Sequence, residues 1–282
     1  MRIVALIENT SAAEKLKAEH GLCLYIENAG EKYLIDTGAS DKFIANAKKM
    51  RIPVEEVSKV LISHNHYDHT GGIEAFLKIN PDAEIYAKKA ADNDFYIKQS
   101  FLRVPIGQIS YLREEHSDNF VFYNRFQEID SGVFAMSNEY PDYSMYCEDK
   151  RLYMRSGGQV IRDDFSHEVF FVFFPDKRRD KGCVVISSCS HCGIVNVLRT
   201  VNMRFPDVPI LSVIGGFHLM GSSTKKLCCS IDYLDKTINE LKAIETGTIY
   251  TCHCTGLTGY GILKSKLGDR IQYLQTGEEL EF

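Results

Sequence analysis

Hydrophobic positions along this chain follow two spacings, and each predicts a different element. Short apolar runs rich in β-branched and aromatic residues at 3–7, 22–27 and 32–35 read as strands. Residues 41–50 read as a helix, with Pro53 just beyond it. Val60-Leu61-Ile62-Ser63 leaves no polar face, the pattern of a buried strand, and 71–77 reads as a helix ending near Asn80-Pro81. From about 95 to 175, aromatic and polar residues alternate between turns at Gly132, Pro141 and Gly157-Gly158, which predicts antiparallel strands and loops. The last third alternates strands at 183–187, 210–214, 248–251 and 270–274 with helices at 194–203, 225–243 and 258–267. Helix 225–243 is the clearest, because Leu227, Ile231, Leu234, Ile238 and Leu241 form one apolar stripe.

No short repeat, low-complexity linker or domain boundary interrupts this order. Residues 1–282 therefore read as a single domain of mixed α/β (α+β) class, with two sheets packed together and flanked by helices. At 44% hydrophobic and 25% charged residues, the composition excludes a disordered tail, a collagen-like repeat and a coiled coil. The net charge of −5 argues against a nucleic-acid partner, which needs a basic face. No apolar stretch is long enough for a transmembrane helix, so no membrane partner is expected. The apolar start is too short for a signal peptide and is followed by a charged stretch at 14–19. Nine cysteines, an odd number, suit a reducing compartment, and the expected location is cytoplasmic. Oligomeric state is left open.

The chemistry begins at Ser63-His64-Asn65-His66-Tyr67-Asp68-His69-Thr70-Gly71-Gly72. Three histidines and an aspartate fall within six residues of a chain with nine histidines in all, immediately after a buried strand and before a helix. Imidazole and carboxylate suit zinc, iron or manganese. In an extended segment His64 and His66 point the same way, and a turn after them brings Asp68 and His69 to a second point. Such an arrangement suits two metal ions a few ångströms apart.

These residues match the H-x-H-x-D-H motif of the metallo-β-lactamase superfamily, which the chain resembles from Asp36 to His253. The resemblance implies a four-layer αββα sandwich with a metal site at one edge between two sheets. It makes His64, His66, Asp68, His69, His191 and His253 the metal ligands. Asp36, in Asp36-Thr37-Gly38, becomes the residue that steadies the ligand histidines by hydrogen bonding. Gly215-Gly216-Phe217-His218-Leu219 follows a strand where the family supplies a bridging aspartate. The Cys189–Asn196 stretch, Gly215–Leu219 and His253-Cys254-Thr255-Gly256 together resemble one branch, which includes archaeal dihydropterin-6-methyl-4-(β-ribofuranosyl)aminobenzene-5′-phosphate synthases and bacterial relatives. Asp163-Asp164-Phe165-Ser166-His167-Glu168 resembles that branch's acidic segment, with His167 at an acid's position.

His218 is the departure from the pattern. No Asp or Glu occurs between Val208 and Ile231, so the sequence offers no acid nearby to bridge two metals. His218 is expected to ligate one metal or to hydrogen-bond to an oxygen there, leaving extra positive charge that favours an anionic substrate. His20, His116 and His167 are expected to be solvated or structural. Cys189, Cys192, Cys252 and Cys254 read as small buried residues, since neither of their clusters matches a paired C-x-x-C zinc knuckle. The Tyr- and Phe-rich stretch at 140–174 could flank a flat ring but is expected to pack the sheet.

The expected activity is that of a metal-dependent hydrolase with a dinuclear site. Two divalent ions, zinc first and iron or manganese next, activate water against a small phosphorylated or ester substrate. Asp68 holds the second metal and orients or deprotonates the water, and His218 assists. Two alternatives stand beside it: a transferase of the dihydropterin synthase type with a diphosphate leaving group, and a non-catalytic ligand-binding protein with a residual metal site.

Overall fold

The apolar runs at the start of the chain pair into one mixed sheet. A computed structural model describes residues 1–139, 141–221 and 226–282, in two compact units. The first comprises Met1–Asn124, Lys150–Glu168 and Gln275–Glu281, and the second Arg125–Asp149, Val169–Leu274 and Phe282.

In the first unit the sheet order is Glu279–Glu281, Arg2–Ile7, Cys23–Asn28, Glu31–Ile35, Lys59–Leu61, Glu84–Lys88, Phe120–Tyr123. Pairing is antiparallel as far as Glu31–Ile35 and parallel beyond it. Parallel neighbours need crossovers, and helices Lys42–Met50, Ile73–Leu77 and Ile109–Glu115 supply them. Phe43 and Ala47, four residues apart on the first helix, join Phe76, Ile109, Val4, Leu34, Val60 and Ile85 in the core. A second, antiparallel sheet in this unit runs Gln159–Arg162, Leu152–Ser156, Phe95–Gln99, Leu102–Pro105.

The second unit repeats the plan. Its sheet order is Ile271–Tyr273, Thr248–Thr251, Ile210–Gly215, Cys183–Ser187, Phe170–Phe173, Val133–Met136, Gln127–Asp130, with the first four strands parallel. Helices Ile194–Arg204, Ile231–Ala243 and Gly256–Leu267 pack on it through Val197, Leu198, Leu234, Ile238 and Leu263. In both units the candidate residues follow the carboxyl ends of neighbouring parallel strands, where an open α/β sheet leaves room for a ligand. Asp36 and Ser63–His69 do so in the first unit. His191, His218 and His253 follow Cys183–Ser187, Ile210–Gly215 and Thr248–Thr251 in the second.

Three expectations change. The helix expected at 225–243 begins at Ile231, because the Ser230 side chain accepts the Tyr233 N–H and caps it there. Leu227 instead bridges to Met220, and residue 225 lies outside the described residues. The middle of the chain is not wholly antiparallel, since Ile109–Glu115 is a helix and Phe120–Tyr123 pairs parallel with Glu84–Lys88, a strand the pattern did not predict. The short helix Tyr67–Thr70 inside the histidine motif was also not foreseen. Phe170, Phe171, Phe173 and Phe174 are buried, in keeping with sheet packing, while Tyr140 lies outside the described residues. No helix among the described residues is long and apolar enough to cross a membrane.

Gly215 carries the sheet into the His218 loop with φ +138°, and a Cβ there would sit 1.9 Å from the Ser187 carbonyl oxygen. Gly261 lies in a helix with nothing within 4 Å of its would-be Cβ. Gly215→Ala is expected to lower stability by about 2–3 kcal/mol and Gly261→Ala to raise it by about 0.5–1 kcal/mol. Denaturant unfolding of the two variants checks the contrast.

Candidate metal centre

One buried carboxylate organises the histidine motif of the first unit. Asp36 sits just past Glu31–Ile35 with φ 57°, a left-handed conformation uncommon outside glycine that aspartate tolerates better than most residues. Its Oδ1 accepts the Ser63 N–H at 2.8 Å. Its Oδ2 accepts both the Ser63 hydroxyl and His69 Nδ1, each at 2.7 Å. Because the Ser63 hydroxyl donates to Asp36, it accepts from His64 Nδ1 at 2.8 Å. His64 and His69 thus both carry their proton on Nδ1, which leaves Nε2 as the ligating nitrogen. The same chain segment grips the motif from behind, where Thr37 N–H donates to the His69 carbonyl at 2.8 Å.

The motif's shape follows from its hydrogen bonds. His66 is extended, at φ −111° and ψ 147°, and its carbonyl accepts the His69 and Thr70 N–H groups that open the helix. That turn packs the imidazoles of His64 and His69 with centroids 4.1 Å apart, and those of His64 and His66 at 4.6 Å. His69 Nε2 lies 3.8 Å from Asp68 Oδ2. Asn65 anchors the loop, accepting the Gln108 and Ile109 N–H groups and donating to the Ala91 carbonyl.

Three residues that the sequence reading left out of the site belong beside it. His20 Nε2 is 3.1 Å from Asp68 Oδ2, so His20 is not a solvated bystander. His167 is fully buried, accepting the Asn65 N–H on Nδ1 and meeting Asp163 Oδ2 through Nε2 at 3.2 Å. Asp163 Oδ2 is also 3.9 Å from His66 Nε2. Burial lowers His66 below the ordinary histidine value, with Asp163 acting against it. Burial alone would raise Asp163, but the His167 and His66 imidazoles outweigh it and hold the carboxyl below the usual range. The acidic segment at 163–168 was the available signal for Asp163 and His167.

In the second unit, His191, His218 and His253 are carried on loops clamped together by backbone. Thr251 Oγ1 donates to the Gly215 carbonyl, Phe217 N–H donates to Thr255 Oγ1, and Leu219 and Met220 N–H groups donate to the Cys254 carbonyl. A Cβ at Gly216 would strike the Cys254 sulfur at 2.4 Å, so only glycine lets the two loops approach this closely. His218 and His253 hold left-handed φ of 44° and 49°, and Ser190 beside His191 holds 52°. Such strain concentrates at functional sites.

The rings of His191 and His218 lie 4.2 Å apart between centroids. His191 Nδ1 is 3.7 Å from Cys147 Sγ. Asp149 Oδ2 lies 3.6 Å from His218 Nε2, so an acid does approach this position, from a part of the chain remote in sequence. This corrects the expected excess of positive charge. Burial would lower His218, but Asp149 and Cys254 raise it to about 9. Burial pushes the Cys254 thiol up, yet Cys189 and the His218 and His253 side chains outweigh it and hold it well below a free thiol's value.

A profile described as the metallo-β-lactamase superfamily matches residues 16–147. Over that stretch the chain is similar to the metallo-β-lactamase superfamily. Tm1679, a solved metal-dependent hydrolase of the β-lactamase superfamily, is 28% identical, with a TM-score of 0.81 over 100% of this chain and 99% of its own. The 7,8-dihydropterin-6-methyl-4-(β-D-ribofuranosyl)-aminobenzene-5′-phosphate synthase of Methanocaldococcus jannaschii is 26% identical over 94% of this chain and 90% of its own. Zinc-bound PqqB from Methylobacterium extorquens has a similar fold at 11% identity, with a TM-score of 0.61 and full coverage of both chains.

The His66 value carries a pH dependence. A buried imidazole lowered below 6.5 supports the fold fully above pH 6.5. That support is lost as pH falls toward its folded value, because the unfolded chain takes the proton first. The metal-free protein is therefore expected to melt at progressively lower temperature as pH falls below about 6.5, and His66→Gln to flatten that slope. Parallel slopes for the two proteins in thermal melts would refute the contribution.

Proposed function

We propose that this protein is a metal-dependent hydrolase in which His64, His66, Asp68 and His69, with His191 and His253, hold two divalent cations. Zinc is the first choice, and iron or manganese are the alternatives. The observation that supports it most is the pair of hydrogen bonds from His64, through Ser63, and from His69 to one Asp36 oxygen. A buried carboxylate that fixes two neighbouring imidazoles in the Nδ1–H form is how metal ligands are oriented. A purely structural histidine cluster has no need of that uniformity.

When bound, the metal pair supplies a Lewis acid and a water acidic enough to react near pH 7. Asp68 orients that water and takes its proton, and His20, 3.1 Å from the carboxylate, holds Asp68 in place. The substrate is a small anionic phosphorylated or ester compound, drawn by the cations. The protein acts in the cytoplasm, without a nucleic-acid or membrane partner. The synthase relative at 26% identity favours a second reading, transfer with a diphosphate leaving group.

The paired substitution His64→Ala with His66→Ala is expected to lower the metal content by at least one ion per chain, and unchanged content by elemental analysis would sink the assignment. In a screen of phosphodiesters, lactones and thioesters, Asp68→Asn should reduce turnover by about two to four orders of magnitude while melting stays near normal. Near-normal turnover in that folded variant would remove Asp68 from the chemistry. Diphosphate released from a pterin diphosphate, with no hydrolysis in the screen, would favour the transferase.

A further inference from the structure

Sulfur surrounds His218. Cys189 and Cys254 are buried in the second unit, and their sulfurs and a ring nitrogen of His218 all lie within 4.8 Å of one another. Both His218 nitrogens are buried without a hydrogen bond among the described residues, although the ring is held in place by a left-handed backbone. A buried polar group left in this state calls for a partner. The His218 backbone N–H donates to Cys254 Sγ at 3.2 Å, a contact that strengthens when the sulfur is an anion.

We propose that Cys189, His218 and Cys254 form a thiolate–imidazole site for a thiophilic divalent cation. The assignment uses residues of the second unit alone, and the Cys189 sulfur also lies within 4.8 Å of ligand atoms of His191 and His253. Zinc–sulfur and zinc–nitrogen bonds of about 2.3 and 2.0 Å bring tetrahedral ligands to about 3.8 Å or less from one another. The present spacing therefore closes onto an ion through small side-chain rotations. Two thiolates neutralise a divalent charge, and three protein ligands leave a fourth position open. Binding takes both sulfurs as thiolates and releases to solvent any thiol proton they carry. The Cys254 proton now faces the Cys189 carbonyl at 3.6 Å. Asp149, at 3.6 Å from His218 Nε2, can hold that nitrogen's proton while the other nitrogen ligates.

Cobalt(II) titration of the metal-free, full-length protein, kept anaerobic with a thiol-free reductant, tests this. A sulfur-to-cobalt absorption band in the near ultraviolet is expected to grow in and saturate. Cys189→Ser and Cys254→Ser should each lose or strongly diminish it. Asp149→Asn should keep the band but weaken cobalt affinity roughly ten- to a hundredfold, as loss of a ligand-orienting carboxylate does. The His64→Ala, His66→Ala protein should retain the band, which separates this site from the failure or success of the dinuclear one. Cobalt binding by the wild-type protein without a sulfur band overturns the proposal, whatever the variants do. So does a band unchanged in both serine variants, or one abolished by the paired histidine substitution.

Discussion

A single oxygen, Asp36 Oδ2, receives two hydrogen bonds at once, and the candidate centre of the first unit depends on it. A carboxylate buried with no solvent contact must have its lone pairs occupied, and here the occupants are the groups whose orientation matters. The parallel register of Glu31–Ile35 against Lys59–Leu61 places Ile35 beside Leu61, so the next residues of each strand, Asp36 and Ile62-Ser63, emerge side by side. The strand pairing thus sets the position of the carboxylate. The carboxylate then sets the tautomers.

Local backbone strain is distributed to match. Asp36, Ser190, His218 and His253 occupy left-handed conformations although none is glycine. Each such residue costs on the order of 1 kcal/mol or more, and the cost is met by surrounding contacts that leave no alternative. Around His218 those contacts are the Cys254 carbonyl, the Thr255 hydroxyl and the two glycines that allow the loops to meet.

What the sequence made legible was local. The histidine motif, the strand before it and Asp36-Thr37-Gly38 are contiguous patterns. Strands at 183–187 and 248–251 match their predicted bounds, the first because an apolar run marks a buried strand and the second because its β-branched and aromatic residues suit a sheet. Long-range partners were not legible. Asp149 reaches His218, His20 reaches Asp68, and Asp163 lies near His66, across separations of 69, 48 and 97 positions that no spacing rule spans. Leu227 misled because an apolar residue in helical phase can also serve a β-bridge, and the cap at Ser230 decided between them. Nor could composition mark where one unit gives way to the other, since the chain passes between them at ordinary segments near 125, 150, 169 and 275.

That threading has a consequence for how the protein is made. The first unit's sheet ends in strand Glu279–Glu281, which pairs with Arg2–Ile7, so an early strand waits for a partner made far later in the chain. Strand Arg2–Ile7 can form a hairpin with Cys23–Asn28 at once, but its other edge stays bare until Glu279–Glu281 has been synthesised. An exposed edge is a template for pairing with other chains. During translation, the interval between these two pairings is the period of greatest exposure to misassembly, and its length is set by the time needed to synthesise the second unit and the rest of the first.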